Sequence, residues 1–101
     1  MSRIEQLAVI AHKSKKPLPW YGLAMEYRSV GDLAAAVTTF EKVHALDPTY
    51  VPAYFMRAQV HEERGERARA QDALEKGITA ARAVGDAHAV SEMQSMLESL
   101  L

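Results

Sequence analysis

Cysteine is absent from the 101 residues, so disulfides and thiolate chemistry are excluded from the outset. Long apolar runs are missing too. The longest, Leu7 to Ala11 and Leu33 to Val37, fall far short of the roughly 20 residues that a membrane-spanning helix needs. Nor is there an excess of either charge: twelve Lys and Arg face thirteen Asp and Glu, a net charge of −1. That balance gives no general attraction to nucleic acid or to an anionic membrane surface. The start, Met1-Ser2-Arg3-Ile4-Glu5-Gln6, lacks the basic segment, long apolar stretch and small-residue cleavage site of a secretory signal, and the expected location is the cytoplasm. What is present is 49% apolar and 25% charged residues, too apolar and too weakly charged for a disordered chain. About 100 residues bury roughly two-thirds of the unfolded surface, so one core forms without a metal or a cross-link.

The chain repeats itself. Trp20-Tyr21-Gly22-Leu23-Ala24 aligns with Tyr54-Phe55-Met56-Arg57-Ala58 at a spacing of 34 residues, and the same spacing pairs Tyr27 with His61, Gly31 with Gly65, Ala36 with Ala70 and Phe40 with Leu74. Small residues recur where two helices approach, large ones where a gap is filled, and glycine where the chain turns.

Each repeat reads as two helices and no segment carries a strand signal. Trp20, Leu23, Ala24 and Tyr27 follow the i, i+3, i+4, i+7 spacing of an apolar helical stripe, and Gly31-Asp32 stops that helix and starts the next. The partner helix is predicted over Leu33 to Leu46, with Leu33, Ala36, Val37, Phe40, Val43 and Leu46 in its stripe. Asp47-Pro48 ends it, because proline disfavours helical geometry in the preceding residue. Thr49 is the expected cap of the following helix and Pro52 sits in its first turn. That helix runs from Ala53 to about Arg64, and after Gly65-Glu66 its partner runs from Arg67 to about Val84. Gly77 replaces Val43 and is read as a point of close packing. At the two ends, Arg3 to His12 carries Ile4, Leu7, Ala8 and Ala11 on one face, and Asp86 to Leu100 carries Val90, Met93, Leu97 and Leu100. These one-sided helices are expected to cap the stack. The expected organisation is a single domain, 1–101, with a capping helix in 1–16, repeats at 17–50 and 51–84, and a second capping helix in 85–101.

A 34-residue helix-turn-helix unit with Trp20, Leu23, Ala24, Tyr27, Gly31, Ala36, Phe40 and Pro48 resembles the tetratricopeptide repeat. The second unit departs from that pattern at Arg57, His61, Leu74 and Arg82, where leucine, tyrosine, phenylalanine and the closing proline are expected. The resemblance implies an all-α, right-handed solenoid of antiparallel helical hairpins, whose first helices line a concave surface that binds peptides or helices of other proteins. It implies no catalysis.

The first helices carry more apolar residues than one stripe requires. Tyr21 and Met25 lie four apart, Phe55 and Met56 lie beside Tyr54, and Tyr21 and Phe55 share the 34-residue register. Tyr21, Met25, Phe55, Met56 and Gln59, with Arg28, Glu62 and Glu63 at the rim, are the candidate peptide-binding groove. Alternatively these residues are covered within the molecule, by the N-terminal helix over Tyr21 and Met25 and by Ala89 and Met96 of the last helix. The Lys, Arg and Asn constellation with which some repeats of this kind bind a C-terminal carboxylate is missing, so an apolar or amphipathic segment is the expected partner.

Elsewhere the chemistry is sparse. His61-Glu62-Glu63-Arg64-Gly65 lacks the second histidine of a zinc-protease helix, no glycine-rich phosphate loop occurs, and His12, His44 and His88 are scattered. His61 is read as a packing residue with one polar contact. Glu63 with Arg67 and Asp72 with Lys76 are read as helix-face ion pairs. The basic residues Lys13, Lys15, Lys16, Arg64, Arg67 and Arg69 are not interleaved with exposed aromatics as single-strand nucleic-acid binding favours. Charge does segregate: residues 1–16 carry +3 and residues 83–101 carry −3. Head-to-tail association through the end helices, with Met93, Met96, Leu97 and Leu101 on the C-terminal face, is therefore the alternative to binding another protein. The sequence thus points to a non-enzymatic interaction module with no cofactor, no metal, and a protein or peptide as partner.

Overall fold

The computed structural model describes residues 1–101 and consists of six helices and no strand: α1 (Arg3–Ser14), α2 (Pro17–Ser29), α3 (Leu33–Leu46), α4 (Val51–Glu63), α5 (Arg67–Ala83) and α6 (Ala87–Ser99). The fold is an all-α helical repeat. None of the helices is long and apolar enough to cross a membrane. The chain divides into two compact units, Met1–Asp47 and Pro48–Leu101, each holding one hairpin and one further helix.

In the first unit, α1 begins with a reciprocal cap. The Ser2 hydroxyl accepts the Glu5 N–H at 3.1 Å while the Glu5 carboxylate accepts the Ser2 N–H at 3.5 Å. The expected stripe is the buried one, with Ala11 fully enclosed and Ile4, Leu7 and Ala8 half-buried, and α1 packs on α2. It runs past His12 to Ser14, where Lys15 adopts a left-handed conformation (φ 59°). Pro17 then opens α2, its fixed φ already helical. Between α2 and α3, Leu23, Ala24, Ala36, Val37, Phe40 and Val43 are buried, while Leu46, at the end of the predicted stripe, is exposed. Half-buried Trp20 is covered from two sides, by the edge of His12 at 4.7 Å between ring centroids and by the Lys42 ammonium 5.4 Å above its ring.

The second unit repeats the hairpin with different fittings. Its first helix is capped at Tyr50 and not at Thr49, and no side chain makes the cap bond: Pro52 in the first turn removes one of the N–H groups a cap would serve. The Tyr54 hydroxyl donates to the Pro48 carbonyl at 2.7 Å, tying the entry loop to α4. The core contains Val51, Tyr54, Ala58, Ala70, Ala73, Leu74, Ile78 and Ala81, closed by Met93 and Leu100 of α6. Gly77 makes this closure possible. A Cβ there would lie 2.5 Å from the Met93 sulfur and 2.7 Å from the Tyr54 Cβ, so the missing side chain is the space into which both neighbours pack. At the far end Gln71 donates to the Leu100 carbonyl at 3.0 Å and holds the end of α6 to α5.

Both hairpin turns close alike. Gly31 (φ 82°) and Gly65 (φ 73°) take the left-handed conformation that an L side chain resists, and the next residue donates its N–H five residues back, Asp32 to Tyr27 at 2.9 Å and Glu66 to His61 at 2.8 Å. The side chains then diverge. The Asp32 carboxylate caps α3 by accepting the Ala35 N–H at 3.2 Å, whereas the longer Glu66 caps nothing and reaches back to buried His61 (Nδ1 to Oε1, 2.9 Å) and to Arg64 (3.4 Å). The hydrogen bond from His61, with help from the Arg64, His61 and Arg69 charges, lowers the Glu66 carboxyl below its ordinary range against a smaller opposing effect of burial.

One expected pairing and one expected surface need correction. Glu63 closes α4 and Arg67 opens α5, so they do not share a helix face, the turn at Gly65 having intervened; Asp72 and Lys76 do pair, at 3.0 Å. Met93 is wholly buried in the notch at Gly77 and does not belong to an open face for association.

Candidate functional site

The second unit contains two helices of the first kind, α4 and α6, and a groove of about 250 Å³ lies between them. Val51, Pro52, Phe55 and Met56 of α4 form one wall. Ala89 and Met93 form the other and the floor, with Asp86, His88 and Glu92 at the rim. Local sequence explains the opening. Ala89 follows Phe55 at the same 34-residue spacing that separates Phe55 from Tyr21, so a methyl group stands where the two earlier helices carry an aromatic ring. Phe55 remains half-buried against the core with room beside its ring. A wider, more open furrow continues from the groove along α6, lined by Phe55, His88, Glu92, Met96 and the serines 91, 95 and 99.

The groove's electrostatics come from few groups. Asp86 accepts the Ala89 N–H at 3.0 Å and caps α6. His88 and Glu92 pair at 3.0 Å across one turn, the first side chain largely and the second about half in solvent, a contact worth little to stability. No three His, Asp or Glu side chains lie close enough together to hold a metal ion.

Of the residues singled out in the sequence, Phe55 and Met56 share this groove, and half-buried Gln59 lies one turn further along α4. Exposed Glu62 is elsewhere, in a polar recess with Gly65, Arg67, Ser99 and Leu100. Tyr21, Met25 and Arg28 belong to α2 of the first unit and are all half-buried. The Tyr21 ring tilts against fully buried Phe40 with centroids 6.0 Å apart, so it contributes to the packing of its own hairpin. The second wall was legible in part: Ala89 lines the groove and Met96 its continuation, as proposed covers that turn out to be walls. Of the groups at the rim, His88 and Glu92 were missed. Carrying the 34-residue register one helix further would have placed them opposite α4.

Comparison with known proteins agrees with this architecture. The family model for the tetratricopeptide repeat matches residues 27–95. Among solved structures, a protein from Bordetella parapertussis is similar over 99% of this chain and 88% of its own, with 30% identity and a TM-score of 0.82. A tetratricopeptide repeat domain protein from Salinibacter ruber is similar over 84% of this chain and 86% of its own, with 28% identity and a TM-score of 0.80. The type III secretion translocator chaperone SycD of Yersinia enterocolitica shares the fold at 19% identity, over 96% of this chain and 66% of its own, with a TM-score of 0.82. Among curated proteins, none matches the sequence. With more than half of its residues matched to the repeat and the same helical hairpins in its structure, the chain belongs to the tetratricopeptide repeat family, a family of protein-interaction modules.

Proposed function

We propose that this protein is a non-catalytic module that binds an apolar or amphipathic segment of another protein in the groove between α4 and α6. Residues 17–50 and 51–84 act as its repeats, and 1–16 and 85–101 as capping segments. One observation carries this reading: Phe55 and Met56 line a recess whose opposite side is reduced to Ala89. The recess, about 250 Å³, continues into the more open furrow along α6, and this extended lining suits side chains presented by a larger partner. Methionine adapts its shape to such side chains and an aromatic ring supplies contact area. That a type III secretion translocator chaperone is built on the same fold is in keeping with a protein partner.

A photo-crosslinking amino acid in place of Met56, and in place of exposed Val30 as a control, tests the proposal. Capture of one defined protein from the first position and not from the second is expected. Equal capture at both positions, or none at the first, would contradict it.

A further inference from the structure

The lining of the groove has a composition that its unit does not. Six Lys and Arg residues occur between Pro48 and Leu101, yet none borders the groove or its continuation along α6. Some are engaged elsewhere: the Arg57 guanidinium lies over the Tyr54 ring at 5.5 Å, Arg64 pairs with Glu66, and Lys76 pairs with Asp72. The formal charges that do border it are Asp86 and Glu92, and the final segment 83–101 holds three acids and no base. Asp86 sits at the positive end of α6 and offsets it, so the helix terminus does not reverse the sign of the rim. The Glu92 carboxylate is about half exposed and its contact with His88 is a surface pair, leaving it open to a competing cation.

We infer that the preferred partner segment is basic as well as apolar: a large apolar side chain seated between Phe55 and Ala89, with Lys or Arg next to it on the segment facing Glu92 and Asp86. This rests on the groove being the binding surface. The acidic rim would steer such a segment and set its orientation, while repelling an acidic segment of equal hydrophobicity.

Three synthetic 18-residue amphipathic helical peptides with one shared leucine stripe and Lys, Gln or Glu on the polar face separate the two levels of the inference. Fluorescence anisotropy is read at low and at raised salt with the wild-type protein, Glu92→Lys and Phe55→Ser. The Lys peptide is expected to bind about tenfold more tightly than the Gln peptide, with the Glu peptide weakest, and raised salt to narrow the ranking. Glu92→Lys alters an exposed side chain, so the fold persists, and the preference for the Lys peptide is expected to fall several-fold. Equal binding of all three peptides, or an unchanged ranking in Glu92→Lys, overturns the charge inference and leaves the groove reading intact, provided Phe55→Ser weakens all three. Failure of every peptide to bind the wild type overturns both. A solution mass that rises with concentration in the absence of peptide and reverts in Glu92→Lys would give the groove to a second copy of the chain, and would also overturn the proposal.

Discussion

The two units use the same 34-residue helical-hairpin plan in different ways, and the difference lies in where the third helix goes. In the first unit α1 packs on α2, the first helix of its hairpin; in the second α6 packs on α5, the second helix. The second unit therefore holds two first-type helices, α4 and α6, and a groove runs between them, whereas the first holds only α2. One substitution between the repeats underlies the seating of α6: Val43 of α3 is replaced by Gly77 of α5, and Met93 fills the space. Repetition sets the hairpins. Departures from repetition create the groove.

Restoring the likeness between repeats should undo that seating. Gly77→Val forces a side chain into space held by the Met93 sulfur and by the Tyr54 Cβ, and the latter is too close to the backbone to move alone. A loss of about 3 kcal/mol in denaturant unfolding is expected. A stability within experimental error of wild type would show that α6 does not depend on the notch. Removing the plug from the other side, Met93→Ala leaves a cavity and should cost about 2–4 kcal/mol, while the same truncation at Leu101, which is 86% exposed, should cost little.

The turns offer a comparison in pH. Since the folded-state pKa of Glu66 is lowered, its contribution is complete above the ordinary carboxylate range and is lost as pH falls through the folded value. Wild type should therefore exceed Glu66→Gln in thermal midpoint at pH 7, and the gap should close toward pH 3. The corresponding Asp32→Asn change in the first unit keeps an oxygen that can cap α3 and should show a smaller effect at neutral pH. A gap that persists unchanged at pH 3 would mean that Glu66 acts through packing and not through its charge. The smallest change is expected at Lys42→Gln, which removes the cation above Trp20 at a cost of about 0.5 kcal/mol. Trp20 is the only tryptophan, so its fluorescence reads the first unit and should shift even where overall stability scarcely moves.

The hairpins and the buried stripes of both end helices were legible because period and turn residues are local properties. The cap on α1 was legible as well in Ser2 and Glu5, three apart, and went unread. What escaped was relational. Tyr27 and Asp32 of the first repeat both change, to His61 and Glu66, and only the structure shows that the two changes form one bonded pair replacing a helix cap. Met93 was assigned both to the capping stripe and to an associating face, because helical spacing identifies an apolar face without telling whether a neighbour has a hole for it. Glu92 was not singled out because nothing local indicates that it borders a recess lined by Phe55.

On the proposal made above, binding belongs to the groove of the second unit. An amide chemical-shift titration of the isotope-labelled protein with the Lys-bearing amphipathic peptide tests it most directly. The predicted result is that the largest changes fall on residues 51–59 and 86–96, around Phe55, Met56, Ala89 and Glu92, while the Trp20 indole signal and α1 stay where they are. Largest changes on α1 or α2, with α4 and α6 unmoved, would contradict it.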